Sequence, residues 1–216
     1  MPARTDFLAR IVAPSTTAVL TIELQNGIVG EGAVLPMLPD AVTASGILPV
    51  AGRVCAAARI CGARVVHCTV EERPDGVGAF ENCRIFSVSA KMRRALGTGP
   101  ISIGSYGAQV VAEIDQQPTD VVVARLGGMS AFTPSALDHT LRSMGVTTVV
   151  IVGVSVNLGV FGAAMTALDL GYQVVVVRDA VTGIPAEYAA AVIDNSLANI
   201  ATIVTAQELI DLWADK

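Results

Sequence analysis

Charge is scarce in this chain. Only 15% of its 216 residues are Asp, Glu, Lys or Arg, against a hydrophobic fraction of 52%. Aromatic residues make up just 4%, and the net charge is −5. An acidic chain with no basic run has no electrostatic footprint for nucleic acid, so no nucleic-acid partner is expected. No apolar run is long enough to span a membrane, and the amino terminus lacks a signal-peptide pattern. No membrane association and a cytoplasmic location are therefore expected. Surface this poor in charge is readily covered by another subunit, which favours a homo-oligomer.

Cysteine is equally uninformative. Cys55, Cys61, Cys68 and Cys83 show neither zinc spacing nor a disulfide framework. Cys55 and Cys61 lie in an Ala-rich helical stretch, where a small buried hydrophobe is the simpler role. The two histidines, His67 and His139, have no second His, Asp or Cys at ligand spacing, so no metal and no cofactor is expected.

What the chain does have is a repeated junction. Helix, single glycine and strand recur in RICGARVVH, RSMGVTTVV and LDLGYQVVV. The most informative stretch runs from Met144 to Gly183. Its β-branched run Thr147–Val152 reads as a strand buried on both faces. Gly153 breaks that run, Asn157 can cap a helix to about Leu170, and Gly171 ends it before a second strand, about Gln173 to Val177. Two parallel strands joined by a helix place both carboxyl ends at one sheet edge, where ligands of open α/β sheets bind. The small apolar helix offers its first-turn N–H groups to an anion or oxyanion there, although its glycines could serve close packing alone.

In chain order, the first dozen residues are a poorly patterned lead-in. Strands are expected at Thr16–Leu24, Arg64–Thr69, Val121–Ala124 and Ala201–Thr205, besides the two already described. Gly27–Gly46 reads as a Gly/Pro-rich loop, and Leu48–Cys61 as a helix with Pro49 near its start. Ala79 to about Gly99 is weakly helical, with Lys91, Arg93 and Arg94 as a solvated face, and the segment to Pro118 is irregular. Helices are expected from Pro134–Ser135 to Met144, from about Ala186 to Asn199, and at the end near Trp213. The sum is one domain over 1–216, a three-layer α/β/α sandwich on a mostly parallel sheet of about six strands.

Glu23, Arg125, the Gly153–Gly159 bend and Asp179 each end a strand, so they should meet at one edge, with His67, Thr69 and Glu71 closing another strand there. A Glu–Arg pair in that place is either structural or an acid with a cation that fixes its ionisation and binds substrate anions. Arg cannot exchange protons at ordinary pH, which leaves Glu23 as the proton carrier. Ser155 has no His with which it can be paired.

The runs AVLTIELQNG from Ala18, RLGGMSAF from Arg125 and GVSVNLGVFGAAMTALDLGYQVVVVRDAVTG from Gly153 resemble the isochorismatase-like (cysteine hydrolase) superfamily, in order and across essentially the whole chain. The resemblance implies an Asp, a Lys and a nucleophilic Cys at positions that here are Glu23, Arg125 and Gly159. It further implies a cis peptide at Val154–Ser155 and an oxyanion hole from the N–H groups of Ser155 and Gly159, with Val154 and Asn157 in the same bend. The superfamily includes a branch with Gly in place of Cys, which cleaves a vinyl ether by protonating carbon. Dimers and tetramers are common in it. Three readings follow: a cysteine-independent hydrolase of a small, anionic substrate with Glu23 as general acid/base; a catalytically silent module that binds a ligand or protein; or an enzyme whose nucleophile has moved to Cys68 or Ser155.

Overall fold

The computed structural model describes residues 2–214, with the side chains of residues 2 and 3 left aside. Six strands form one sheet: β1 Thr17–Ile22, β2 Arg64–Glu71, β3 Val121–Leu126, β4 Thr148–Gly153, β5 Gln173–Val181 and β6 Thr202–Val204. All pair in parallel, in the order β3-β2-β1-β4-β5-β6. The chain thus winds outward in one direction from β1 and in the other from β4. The topological switch point falls between these two strands, whose carboxyl ends open a crevice that no crossover helix closes.

β1 and β4 are buried at every position, as their unbroken apolar runs require. Alternate residues feed two cores. Val19 of β1 packs on the face covered by the helix Ile47–Cys61 and the terminal helix Ala206–Ala214, whereas Leu20 and Ile22 pack on the face covered by Leu137–Ser143 and Val156–Asp169. The result is the expected three-layer sandwich. No single helix among the described residues is long and apolar enough to cross a membrane.

Several boundaries differ from the sequence expectation. The lead-in is a helix, Pro2–Ile11, because Leu8 and Val12 are buried in the core and the Trp213 indole donates to the Val12 carbonyl at 2.9 Å. Gly27–Gly46 is not a plain loop: it contains a short helix, Asn26–Val29, and a longer one, Met37–Ser45. Pro39 falls in the first turn of the latter, where a missing N–H costs nothing, and Gly46 ends it in the left-handed conformation. β5 runs on through Arg178 and Asp179 to Val181, past a register shift opposite β4. Arg93 is not on a solvated face. It is buried and paired with Glu72 at 2.7 Å, while its neighbour Arg94 meets Glu81 in the open.

A buried polar chain ties β1, β2 and the start of β3 together. The His67 Nδ1 lies 2.9 Å from the Thr21 hydroxyl, and its Nε2 lies 3.0 Å from Asp120 Oδ2. Asp120 also accepts from both Nε and an outer nitrogen of Arg59, at 3.0 and 2.7 Å, and from the Gln117 backbone N–H. Burial pushes His67 below the ordinary imidazole value, and the carboxylate partner only partly opposes it. Removing one member of such a set leaves its partners desolvated and unpaired. Asp120→Ala is accordingly expected to cost about 3 kcal/mol, read as a lower urea midpoint at unchanged slope.

Candidate functional site

The crevice is built from two abrupt strand ends. At the end of β1, Glu23 adopts φ +53°, a left-handed conformation that is unusual for a side chain of this length. Its N–H donates to the Cys68 carbonyl at 3.1 Å, and its own carbonyl accepts from Gln25 N at 2.9 Å. Gln25, fully buried, fastens the turn in place. Its amide donates to the carbonyls of Val70 and Ala108 at 3.0 and 2.9 Å and accepts from Val70 N at 2.8 Å. Gln25 is not among the residues the sequence singles out; its one signal is an amide lying directly between a buried strand and an Asn-Gly turn.

At the end of β4, Gly153 has φ +115°, and a Cβ there would overlap the Ile22 carbonyl. The chain then passes through a cis peptide at Val154–Ser155 into a π-helical turn, Val156–Val160, that continues as the helix Phe161–Asp169. The Val154 N–H donates to the Ile22 carbonyl at 3.0 Å, which holds the bend against β1. Gly159 consequently faces Glu23. A Cβ built on it would lie 3.4 Å from Glu23 Oε1, 3.3 Å from Ile22 Cγ2 and 3.1 Å from the Val154 carbonyl oxygen.

Arg125 comes from the far side of β2. Parallel neighbours are about 5 Å apart, so β3 and β1 are separated by about 10 Å, and only two long side chains can meet across that gap. They do: Arg125 forms an ion pair with Glu23 through one outer nitrogen. The same nitrogen reaches the Gly128 carbonyl at 3.3 Å, and the other reaches the Thr69 carbonyl at 3.4 Å. The Arg125 side chain is 1% exposed and that of Glu23 14%, so the carboxyl stands between the guanidinium and the cleft. Burial pushes the Glu23 carboxyl above the ordinary carboxylate value, and the adjacent guanidinium pulls against that rise without cancelling it.

The cleft in front of Glu23 encloses about 420 Å³, part of it open to solvent. Ile28, Val34, Leu35 and Leu38 wall one side, from the segment that follows β1, and Ile85 adds a side chain from the helix Arg84–Leu96. Met129, Leu158 and Gly159 complete it, with Glu23 and Ser155 as its polar members. No cysteine lines it. Cys68 lies behind the site, 1% exposed, with its thiol pushed up to about 12 by burial.

Of the residues singled out in the sequence, Glu23, Arg125, Ser155 and Gly159 do come together. Val154 is buried beside them without lining the cleft. Asn157 neither caps the helix nor faces the cleft: its Oδ1 accepts from the Ser155 hydroxyl at 2.7 Å, and it packs against Gly183. Asp179 is absent from the site, because its carboxylate caps the terminal helix through Ala206 N at 2.8 Å. His67 sits in mid-strand in the buried polar chain, not at the edge. Among the described residues none that lines the cleft is basic, and Arg125 lies behind Glu23 and is paired with it.

A crevice at the switch point of a six-stranded parallel sheet packed between helices is the fold of the isochorismatase-like class. The chain belongs to that family: its isochorismatase domain model matches residues 17–208. Among curated relatives, the ureidoacrylate amidohydrolase RutB of Pseudomonas syringae pv. syringae is 28% identical over 188 residues, covering 83% of this chain and 75% of that protein. An isochorismatase family protein of Desulfovibrio vulgaris superposes with a TM-score of 0.79 at 30% identity, covering 92% of this chain and 98% of its own. N-carbamoylsarcosine amidase of Thermoplasma acidophilum is similar at a TM-score of 0.66 and 25% identity, covering 88% and 96%.

The two glycines of the bend differ in what they tolerate. A methyl group at position 159 meets contacts that are tight by only a few tenths of an ångström, whereas at 153 it overlaps backbone in a conformation hostile to any side chain. Gly159→Ala is expected to change stability by no more than about 1 kcal/mol, and Gly153→Ala to cost more than about 2 kcal/mol. Urea denaturation of the two variants side by side checks the contrast.

Proposed function

We propose that this chain is an isochorismatase-family hydrolase that works without a cysteine nucleophile, with Glu23 as its general acid/base. The observation that carries the reading is the geometry at Gly159. The position that faces the Glu23 carboxyl has no side chain, and no thiol lines the cleft. A covalent acyl intermediate at residue 159 has no atom on which to form. The reactive group left is a carboxyl whose affinity for its proton is raised by burial.

A raised carboxyl suits the cleavage of a vinyl ether. Glu23 transfers its proton to the terminal carbon of the double bond, and the ether oxygen shares the positive charge that develops. Water adds to the cation, and the hemiketal breaks down to a ketone and an alcohol as a proton returns to the Glu23 carboxylate. Arg125 holds the carboxyl in place and stabilises its ionised form during the step. On this reading the N–H groups of Ser155 and Gly159 border the reacting atoms and can bind a developing oxyanion. The apparent alternatives weaken on the same geometry. Cys68 is buried with its thiol protonated, and the Ser155 hydroxyl is spent on Asn157 with no imidazole near it.

Turnover by purified protein of a panel of small vinyl ethers and amides tests the assignment. Glu23→Gln is expected to lower kcat by at least about 100-fold. Unchanged turnover in that variant removes Glu23 from the mechanism, and a complete lack of turnover across the panel favours a silent binding module.

The sign of the pH dependence follows from the acid role. Activity is expected to be present while Glu23 is protonated and to fall as pH rises through its folded pKa, which lies above the ordinary 4.5. Arg125→Gln removes the charge that pulls this value down, so the falling limb should move to higher pH. A limb that rises with pH over the same range would identify Glu23 as a base instead.

A further inference from the structure

We infer that the cleft selects an uncharged, apolar-bodied substrate and rejects carboxylates of the same shape. This deepens the proposed reading, since it concerns the same cleft. It stands on what lines that cleft. Seven of the ten lining residues are Ile, Val, Leu or Met, one is Gly159, and the remaining two are Ser155 and Glu23. The single titratable group in the set is therefore an acid, which offers a carboxylate no cation in either protonation state. Ser155 cannot compensate, because its hydroxyl already donates to Asn157 Oδ1 at 2.7 Å.

Arg125 does not supply the missing countercharge. Its guanidinium is sealed behind the Glu23 carboxyl, and its two outer nitrogens are occupied by Glu23 and by the carbonyls of Thr69 and Gly128. Its Nε is buried and has no partner among the described residues, but it lines no part of the cleft. The arginines of the helix that supplies Ile85 do not line the cleft: Arg93 pairs with Glu72, Arg94 with Glu81, and Arg84 is exposed outside it. A substrate carboxylate seated against Leu35, Ile85 and Met129 would be stripped of water without gaining a hydrogen-bonded cation. A neutral amide, ester or ether of equal size loses far less on entry, and its aliphatic or ring carbons gain the apolar walls.

Leu35 is the natural determinant to alter. It is half-buried at the wall contributed by the chain after β1, so a longer side chain there can reach over the cleft without entering the core.

The test uses binding and does not depend on turnover. 3-Methylbutanamide and 3-methylbutanoate share one carbon skeleton and differ in charge. Titrated separately into protein with labelled Ile, Leu, Val and Met methyl groups, the amide is expected to shift Leu35, Ile85 and Met129 with a Kd at least tenfold below that of the carboxylate. Leu35→Arg, folded as judged by its methyl spectrum, is expected to narrow or reverse that ratio by strengthening carboxylate binding. Equal or tighter binding of the carboxylate to the unaltered protein overturns the inference, and so does failure of both probes to perturb the cleft methyl groups at 50-fold molar excess. Selective amide binding in a protein that turns over no vinyl ether or amide would leave this inference standing and sink the catalytic one.

Discussion

The structure turns on one ion pair that spans a strand. Glu23 directly follows β1 and Arg125 belongs to β3, strands separated by β2, and their side chains meet over the carboxyl end of β2. Both are taken largely out of water, so the pair must recover a desolvation cost through its geometry and its extra hydrogen bonds. The guanidinium does so with two backbone carbonyls in addition to the carboxylate. Because Arg keeps its proton at any working pH, every change of charge in the pair belongs to Glu23. Burial then decides its affinity for that proton: it pushes upward, the neighbouring charge pulls downward, and burial prevails. A lone buried carboxyl would have risen further, and a solvated one paired with Arg would have fallen. The combination yields an acid that is held in position and remains able to let go of its proton.

Backbone conformations at the switch point keep that acid where it is. Glu23 and Gly153 stand at the ends of neighbouring strands, and both have positive φ. For a non-glycine residue this conformation costs on the order of 1 kcal/mol, so surrounding contacts must enforce it. The Gln25 amide is the evident enforcer, with three hydrogen bonds that join the turn to β2 and to the Ala108 carbonyl. Gly153 needs no enforcement, only the absence of a side chain. One strand end is therefore constrained by bonding and the other by composition, and between them the cleft opens.

Much of this was legible in the sequence because its cause is local. Buried parallel strands must be continuous apolar runs, and three helix–glycine–strand junctions revealed the winding before any pairing was known. The meeting of Glu23, Arg125 and the bend followed from the rule that parallel strands send their carboxyl ends to one edge. What stayed hidden depends on distant partners. Arg93 looks like its neighbours Lys91 and Arg94 and differs only because Glu72 lies beneath it. Asp179 ends up as a helix cap because β5 continues past the point where its β-branched run stops. Asn157 has the residue type of an N-cap, yet the π-helical turn carries its side chain back to Ser155. The amino-terminal helix has a weak pattern of its own and is fixed by burial of Leu8 and Val12.

The same distinction bears on substrate charge. Reading Arg125 as a cation at a strand end suggests an anion-binding group, and that inference is sound for an exposed arginine. The geometry here gives Arg125 a different setting. The guanidinium approaches from two strands away, so it can meet Glu23 only from behind, with the carboxyl as the boundary between it and the cleft. With the charge enclosed, the walls contributed by the chain after β1 and by the helix Arg84–Leu96 set the character of the cleft, and they are hydrocarbon. The acid thus faces an apolar volume, the environment that raises a carboxyl's hold on its proton.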